Sequence, residues 1–354
     1  MERAKGKLGF GMMRLPYKDG QIDFDLVSRM VDRFLKEGYN YFDTAHGYLN
    51  EQSEVAVRKC LTSRYPRDAY MLTDKLSSNY FSSPEDVIPM VRKELQCCGV
   101  EYFDYLLMHA QGRNNYDHYM GCQAYQKAKE LKSMGLVRHI GISFHDSADF
   151  LRHILEEHPE IEAVQLQINY LDADDEVVQS LACLEVASSF GKDVIVMEPV
   201  KGGRLANLTP AALSSLRGVY KGSPASFAIK YAASLPGVKM VLSGMGSYEQ
   251  MEDNCAALHD LCFPEEYRKQ AKLLAALLRK QGLIGCTGCS YCTPLCPVKM
   301  PIPDIFKMLN AHRAGVGEID QNLLGKADEC LRCGACESAC PQHLPIRQLL
   351  AGKQ

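Results

Sequence analysis

The sequence has no apolar segment long enough to cross a membrane. A helix that spans a bilayer takes roughly 20 consecutive apolar residues, and no stretch of the 354 residues approaches that length. The first seven residues, Met-Glu-Arg-Ala-Lys-Gly-Lys, also lack the apolar core of a secretory signal. We therefore expect a cytoplasmic chain that has no membrane partner.

An excess of charge of one sign is also missing. The 40 Lys and Arg residues stand against 43 Asp and Glu residues, which gives a formal net charge of -3 at pH 7. Nucleic acids and anionic membranes attract proteins that carry a strong positive field. The composition therefore predicts no nucleic-acid partner, and its 46% hydrophobic content is enough for a substantial core.

A third absence is a Gly-x-Gly-x-x-Gly segment after an early strand, which disfavours an open, doubly wound dinucleotide fold. Residues 7–260 instead alternate short apolar runs with amphipathic segments of helical length. Strands that alternate with helices pair in parallel, and eight of them close a (β/α)8 TIM barrel. The predicted strands are 8–12, 41–43, 70–75, 105–109, 139–143, 164–168, 194–197 and 240–243.

Helical periodicity fills the intervals between these strands. The predicted helices are 25–37, 51–61, 84–98, 116–134, 147–157, 174–189, 224–234 and 247–261, followed by 264–280 across the barrel. Residues 200–222 are rich in glycine at their start and give no clear assignment.

Cysteine is distributed very unevenly. Seven cysteines are scattered over the first 285 residues, whereas eight lie between Cys286 and Cys340. Without a secretory signal, clustered thiols indicate metal binding rather than disulfides, because the cytoplasm is reducing. The seven scattered cysteines are interpreted as small buried apolar residues.

The clustered cysteines follow the pattern C-x2-C-x2-C-x3-C-P twice. This is the run that binds [4Fe-4S] clusters in bacterial ferredoxins, where the fourth cysteine of each run serves the other cluster. We expect one centre on Cys286, Cys289, Cys292 and Cys340, and a second on Cys330, Cys333, Cys336 and Cys296. A pair of zinc sites is the alternative, although zinc does not require this spacing.

Periodicity gives way to cysteine spacing at residues 282–285, where we place a domain boundary. Residues 1–281 form the predicted barrel, and residues 282–354 form a ferredoxin-like iron-sulfur domain. Segments 303–313 and 346–351 have helical patterns, so this second domain is expected to be mainly helical.

Four polar residues lie at or just beyond the ends of successive predicted strands: Asp43, Tyr48, Lys75 and His109. Each has a structural alternative, such as a helix cap or a core histidine. Together they suit proton transfer, because an ammonium group beside a phenol favours the phenolate and an aspartate holds the ammonium in place. Tyr48 then serves as general acid for a carbonyl oxygen that His109 orients, and a cofactor must supply the hydride.

These residues resemble the catalytic tetrad of the aldo-keto reductase family. The likeness covers residues 7–260 and continues through Gly141-Ile142-Ser143, Gln165, Glu198-Pro199, Ser243-Gly244 and Asn254. The resemblance implies a TIM barrel and a nicotinamide dinucleotide. It places Ser143 and Gln165 at the carboxamide, and Gly244, Ser247, Asp253 and Asn254 along the pyrophosphate and adenine. With its cysteine-rich end, the whole chain resembles the ferredoxin-type branch of that family.

The choice between NADPH and NADH stays open. Many members of the family hold the 2′-phosphate of NADPH with an arginine after the eighth strand, but residues 244–254 contain no basic side chain. A phosphate there would lack its usual charge-assisted partner.

Three functional hypotheses remain. The first is an oxidoreductase that interconverts a small carbonyl and an alcohol with NADPH or NADH. The second is an electron-transfer protein whose barrel docks a redox partner protein, since iron-sulfur clusters pass single electrons whereas nicotinamide delivers a hydride. The third gives the clusters only a structural role. The sequence identifies neither the substrate nor the oligomeric state.

Overall fold

The computed structural model describes residues 1–352. Within them lie eight parallel strands: β1 Leu8–Gly11, β2 Tyr41–Asp43, β3 Met71–Leu76, β4 Phe103–Gln111, β5 Val137–Phe144, β6 Ala163–Gln167, β7 Asp193–Met197 and β8 Val238–Gly244. They pair in sequential order, and the barrel is closed because β1 pairs with both β2 and β8. The predicted barrel is confirmed, and each predicted strand overlaps one of these.

Crossover helices surround the barrel. They are α1 Phe24–Lys36, α2 Gln52–Val57, α3 Pro84–Cys98, α4 Tyr116–Gly121, α5 Ala124–Ser133, α6 Ala148–Glu157, α7 Ser180–Ser189, α8 Pro210–Arg217, α9 Pro224–Ala233, α10 Tyr248–His259 and α11 Glu265–Arg279. A π-helix, Arg58–Thr62, continues α2, and short 3-10 turns occur at Arg67–Ala69, Ser78–Tyr80 and Lys201–Gly203. A small hairpin pairs Tyr17–Lys18 with Gln21–Ile22.

Two helices differ from their predicted lengths for local reasons. The predicted helix 116–134 is broken between α4 and α5, where Gln123 takes a left-handed conformation with φ of 52°. The predicted helix 174–189 starts only at Ser180. Before that point the Asp175 carboxylate accepts hydrogen bonds from the backbone N–H groups of Val177 and Val178, and such a turn competes with helix formation.

Large apolar side chains fill the interior of the barrel. They are Tyr41, Met71, Tyr105, Leu107, Ala163, Ile195, Met240 and Leu242. A larger cluster packs between the outer faces of the strands and the helices. Because the interior is filled, polar side chains with room to act lie at the carboxyl ends of the strands.

The segment after α11 forms a second apolar cluster, which includes Ile302, Ile305, Phe306, Ile346 and Leu350. Its helices are α12 Ile302–Arg313, α13 Gln321–Gly325, α14 Ala335–Ser338 and α15 Ile346–Ala351, with a 3-10 turn at Lys326–Glu329. The expected helical character of this segment is therefore confirmed. Among the helices of residues 1–352, none combines the length and apolarity that crossing a membrane demands.

Candidate active site at the barrel mouth

The ends of β2 and β3 bring an ion pair into the barrel mouth. Asp43 is the last residue of β2, and Lys75 lies one residue before the end of β3 with no exposed surface. The Lys75 Nζ donates hydrogen bonds to Asp43 Oδ1 at 2.5 Å, to the Thr44 carbonyl oxygen at 2.8 Å and to the Tyr48 hydroxyl at 3.1 Å. The ammonium is thus held by fixed acceptors and points at the phenol.

A strained turn after β2 presents Tyr48 to this ion pair. The next three residues, Leu49, Asn50 and Glu51, all have positive φ angles between 53° and 65°. Non-glycine residues rarely adopt this conformation, and it concentrates at functional sites. The turn leaves Tyr48 only 8% exposed, with the Lys75 Nζ 4.6 Å from its ring centroid.

His109 completes the predicted set from β4. Its ring centroid lies 5.7 Å from that of Tyr48 in a perpendicular arrangement, and its Nδ1 is 2.6 Å from the Ser77 hydroxyl. The next residue, Ala110, has a φ of 50° and donates its backbone N–H to the Ser143 hydroxyl on β5 at 2.7 Å. This irregularity in β4 turns the histidine toward the centre of the mouth.

Burial controls the proton affinities of the site. It raises the pKa of Tyr48 well above the ordinary value of a phenol, and the negative charge of Asp43 acts in the same direction. Burial, together with the Lys75 charge, lowers the pKa of His109 well below its ordinary value. The pKa of Asp43 is raised by burial and partly lowered again by Lys75. The site therefore holds a protonated phenol and a neutral imidazole.

The segment after α11, residues 280–352, is called the tail, and it adds to the site a residue that sequence reasoning missed. The hydroxyl of Tyr291 lies 3.2 Å from His109 Nε2 and next to the Tyr48 hydroxyl. Tyr291 stands between Cys289 and Cys292 of the first cysteine run. Cysteine spacing identified this loop as a metal-binding segment, but nothing in the spacing shows that the tyrosine faces the barrel.

Several contacts seat the same loop on the barrel mouth. Arg14 donates from Nη2 to the Thr287 carbonyl oxygen at 2.7 Å. Gly202 approaches so closely that a Cβ atom there would lie 2.3 Å from that oxygen. Farther along the tail, Gln342 exchanges hydrogen bonds with Gln167 of β6 at 2.5 Å and 3.0 Å. The second domain therefore covers the carboxyl ends of the strands.

The eight clustered cysteines lie in two groups, each of which lines a cavity. One cavity is lined by Cys286, Cys289, Cys292 and Cys340, the other by Cys296, Cys330, Cys333 and Cys336. In each group a backbone N–H points at a sulfur, from Gly288 to Cys286 and from Arg332 to Cys330, both at 3.4 Å. Thiols grouped in fours, apolar walls and N–H donors to sulfur fit iron-sulfur clusters.

Comparison with known proteins identifies both parts of the chain. The model of the aldo/keto reductase family matches residues 7–275. The chain belongs to the aldo/keto reductase family. A second match, to the 4Fe-4S dicluster domain, covers residues 285–345. The resemblances drawn from the tetrad and from the cysteine runs are therefore confirmed, and the chain is an oxidoreductase of this family with an iron-sulfur domain at its C-terminal end.

Individual relatives are distant and cover the barrel. The NAD(P)H-dependent D-xylose reductase of Scheffersomyces stipitis is 25% identical over 272 residues, which span 66% of this chain and 82% of that protein. The NADH-specific methylglyoxal reductase of Escherichia coli is 25% identical over 298 residues, or 72% of this chain and 90% of the relative.

Solved structures show the same fold. The aldo-keto reductase AKR11C1 of Bacillus halodurans in its holo form has a TM-score of 0.63 at 24% identity, covering 76% of this chain and 91% of its own. The Klebsiella pneumoniae aldo-keto reductase in complex with NADPH has a TM-score of 0.61 at 18% identity, with the same two coverages.

The residues that the aldo/keto reductase resemblance assigned to the dinucleotide lie around the mouth. Gln165 donates to Asp43 Oδ2 at 3.0 Å, and Asn254 donates to the Ser243 hydroxyl at 2.8 Å. Gly244 ends β8, and Ser247 caps α10. Asp253 accepts a hydrogen bond from Ser223, the N-cap of α9, so its carboxylate already has a partner.

A basic side chain does stand beside the β8 loop, although the loop itself has none. Carbon atoms of Arg14 lie 3.2 Å from the position that a Cβ on Gly244 would take. Its guanidinium is directed at Thr287 and, at 3.5 Å, at Glu198. Sequence reasoning missed Arg14 because it follows β1, far from β8 along the chain.

Proposed function

We propose that this enzyme interconverts a small carbonyl compound and the corresponding alcohol, with NADPH or NADH as the hydride carrier and Tyr48 as general acid and base. The observation that carries the proposal is the Lys75 ammonium, which joins the Asp43 carboxylate to the Tyr48 hydroxyl at 2.5 Å and 3.1 Å. A buried phenol next to a fixed ammonium can lose its proton during the reaction, because the ammonium stabilises the phenolate.

Each member of the tetrad has one task in this mechanism. In the reductive direction Tyr48 donates its proton to the substrate oxygen while His109 donates a hydrogen bond to the same oxygen. A neutral imidazole has a single N–H, so Nδ1 accepts from Ser77 and Nε2 donates. Lys75 stabilises the phenolate, and Asp43 keeps Lys75 charged and in place. Oxidation of the alcohol reverses these proton transfers.

The nicotinamide, when bound, supplies the hydride to the carbonyl carbon. Ser143 and Gln165 lie near the tetrad and suit its carboxamide, because both are buried polar groups at the ends of β5 and β6. The start of α10 suits the pyrophosphate, since Gly244 and Gly246 leave the backbone accessible and a helix N-terminus attracts anions.

Tyr291 occupies the place of the substrate oxygen in this proposal. Its hydroxyl already hydrogen-bonds His109 and lies next to the Tyr48 hydroxyl, and these are the two groups that must hold a carbonyl oxygen. A substrate therefore binds only when this hydroxyl is displaced, which favours small carbonyl compounds that enter beside the first cysteine run.

Replacing Tyr48 with Phe tests the proposal. We expect turnover to fall by about 10²–10⁴-fold, the range for loss of a positioned proton donor, while dinucleotide binding measured by titration stays unchanged. Tyr65→Phe is a matched control, because it removes a tyrosine hydroxyl that is hydrogen-bonded to a charged group, the Asp32 carboxylate, outside the active site. Turnover by Tyr48→Phe equal to that of the control would remove the proposal.

For the second domain we propose two [4Fe-4S] clusters on residues 282–354, with residues 1–281 as the barrel. The ligands of the first are Cys286, Cys289, Cys292 and Cys340, and those of the second are Cys296, Cys330, Cys333 and Cys336. Two such clusters require about eight iron and eight sulfide ions per chain after anaerobic purification. Two zinc ions, each bound by four thiolates, with no sulfide would contradict the assignment.

One observation favours a second candidate function, electron transfer between a redox partner protein and the barrel. Tyr291 lies between Cys289 and Cys292 and contacts His109, so the proposed first cluster adjoins the catalytic residues. An anaerobic assay that supplies reduced ferredoxin and no NAD(P)H decides between the candidates. Turnover under these conditions supports electron entry through the clusters, and its absence counts against it.

A further inference from the structure

Behind the active site, on the outer side of β3, the structure buries a second set of ionisable groups. Asp74 precedes Lys75 on β3, Glu54 lies on α2, and Glu94 and Cys98 lie on α3. All four have no exposed surface. Glu94 and Cys98 are four residues apart, which places both on one face of the helix.

The donor atoms of this set converge. One ligand atom each of Glu54, Asp74 and Cys98 lies within 4.8 Å of the other two, and the Cys98 sulfur is 3.5 Å from Asp74 Oδ2. Glu94 is buried on the same helix, one turn before Cys98. Three elements therefore bring two carboxylates and a thiol to one buried point, and a third buried carboxylate lies one helical turn from the thiol.

Several of these atoms have no partner among the described residues. Glu54 Oε1 and both carboxylate oxygens of Glu94 are buried without a hydrogen bond. An unpaired buried carboxylate is among the most costly features a protein can contain. Glu54 belongs to the converging group, and its unpaired buried oxygen indicates that something other than this chain completes the site.

The nearby cations do not fill this role. Lys75 directs its ammonium into the barrel, toward Asp43 and Tyr48. Lys93 places its Nζ 3.2 Å from His46 Nε2, and the other nitrogen of that imidazole is 2.8 Å from Glu54 Oε2. These contacts satisfy Glu54 Oε2 and leave Glu54 Oε1 and both oxygens of Glu94 without a hydrogen bond.

We propose that Glu54, Asp74, Glu94 and Cys98 bind a divalent transition-metal ion, for which zinc is the best match. Zinc accepts both thiolate sulfur and carboxylate oxygen in tetrahedral sites. Tetrahedral ligands of zinc lie roughly 3.5 Å from one another, so the observed spacing of up to 4.8 Å needs only a small contraction around the ion.

This ion would act on the catalytic lysine through the backbone. Asp74 Oδ1 accepts the backbone N–H of Lys75 at 2.8 Å, so a metal on the other carboxylate oxygen fixes the strand that carries the lysine. The ion would also tie α2 and α3 to β3. The proposed role is therefore positioning, and none of the four ligands contacts the substrate.

Metal analysis of the full chain tests the proposal. The chain is purified anaerobically from zinc-supplemented cultures, and zinc and iron per chain are measured together with X-ray absorption at the zinc edge. We expect close to one zinc per chain, surrounded by one sulfur and otherwise oxygen. Zinc misplaced in the C-terminal cysteine runs would show sulfur ligands throughout, so the spectrum separates the two locations.

Variants complete the test. Glu94→Gln nearly preserves shape and should lower zinc content by at least tenfold, and Cys98→Ser should remove the sulfur signal. Cys60→Ser is the matched control, because Cys60 is a buried thiol on the adjoining helix whose sulfur bonds only the Phe24 carbonyl oxygen.

Three results would overturn the proposal. The first is wild-type chain without zinc in the presence of added zinc. The second is a zinc spectrum that contains sulfur alone, and the third is zinc content in Glu94→Gln equal to that of Cys60→Ser. If zinc is absent and Glu94→Gln melts at a higher temperature than wild type, the carboxyl groups are simply protonated.

Discussion

At the scale of single residues, Tyr48 experiences two opposed influences. The Lys75 ammonium at 3.1 Å favours the phenolate, whereas burial and the Asp43 charge favour the neutral phenol. We expected the lysine to make the phenol more acidic, but in the structure burial dominates and the pKa of Tyr48 is raised. The lysine instead stabilises the phenolate at the moment the proton is transferred, which is when the charge appears.

These pKa shifts predict the pH dependence of carbonyl reduction. Tyr48 donates a proton only while protonated, and its raised pKa keeps it so beyond the ordinary value of about 10. His109 has a lowered pKa, so it is neutral above its ordinary value of about 6.5. We expect kcat with saturating dinucleotide to be flat from roughly pH 6.5 to 10. A midpoint between pH 7 and 9 would show instead that the phenol is acidic.

Removing the Tyr291 hydroxyl should strengthen the binding of the carbonyl substrate. Tyr291→Phe deletes the hydrogen bond to His109 and the hydroxyl next to Tyr48 but keeps the ring in place. A neutral hydrogen bond contributes about 1 kcal/mol, so the KM for a small carbonyl compound should fall by about fivefold with little change in kcat. Steady-state kinetics measure both. A fall in kcat of a hundredfold would show that Tyr291 takes part in the chemistry.

At the scale of elements, the loop after β7 packs directly against the first cysteine run. Gly202 has a φ of 62° and touches the backbone of Thr287, and Arg14 bonds the carbonyl oxygen of the same residue. The Glu198 carboxylate accepts the Gly202 N–H at 2.5 Å, which holds the loop in that conformation. Glycine at position 202 therefore serves both the backbone angle and the close approach.

A pair of alanine substitutions separates these two effects. Gly202→Ala and Gly203→Ala both place a side chain at a positive φ, which costs about 1–3 kcal/mol. Only at position 202 does the new Cβ meet the Thr287 backbone. A Cβ at position 203 would instead lie 3.9 Å from the Asn207 side-chain nitrogen, an ordinary contact distance. We expect both variants to melt earlier. Proteolysis near residues 282–285 should accelerate in Gly202→Ala alone. Equal rates of cleavage in the two variants would argue against a stabilising contact between Gly202 and the first cysteine run.

At the scale of the whole molecule, the iron-sulfur domain has an apolar cluster of its own, separate from those of the barrel. It nevertheless lies over the mouth of the barrel. The first cysteine group adjoins the tetrad through Tyr291, whereas the second includes the exposed Cys333. The two proposed clusters therefore differ in their relation to the chemistry, because only the first cysteine run contains a residue that contacts a member of the tetrad among the hydrogen bonds of the described residues.

This asymmetry predicts unequal effects of losing each cluster. Cys333→Ala should lower iron content and the melting temperature of the tail while carbonyl reduction by the folded enzyme stays near wild type. Cys289→Ala should release the loop that holds Tyr291, so that KM for the carbonyl changes as well. Iron analysis, thermal melting and kinetics of both variants check this. Matching kinetic changes in the two would mean that the tail acts on the barrel as one unit.

Much of this molecule could be read from residue order alone. The periodicity of the apolar residues and the number of predicted strands predicted the closed barrel, because the residues that each strand buries follow a regular pattern within that strand. The spacing of cysteines predicted two groups of four, and the same groups line the two cavities. Asp43, Tyr48, Lys75 and His109 could be linked because parallel strands end at one edge.

What only the tertiary structure decided depends on contacts between distant parts of the chain. The meeting of Tyr291 with His109 spans 182 residues, and Arg14 reaches Thr287 across 273. The direction of the Tyr48 pKa shift is set by burial, and the convergence of Glu54, Asp74 and Cys98 is set by the packing of α2 and α3 against β3. Local pattern encodes periodicity and turn geometry, but burial and docking arise from packing between segments and have no local signature in the sequence.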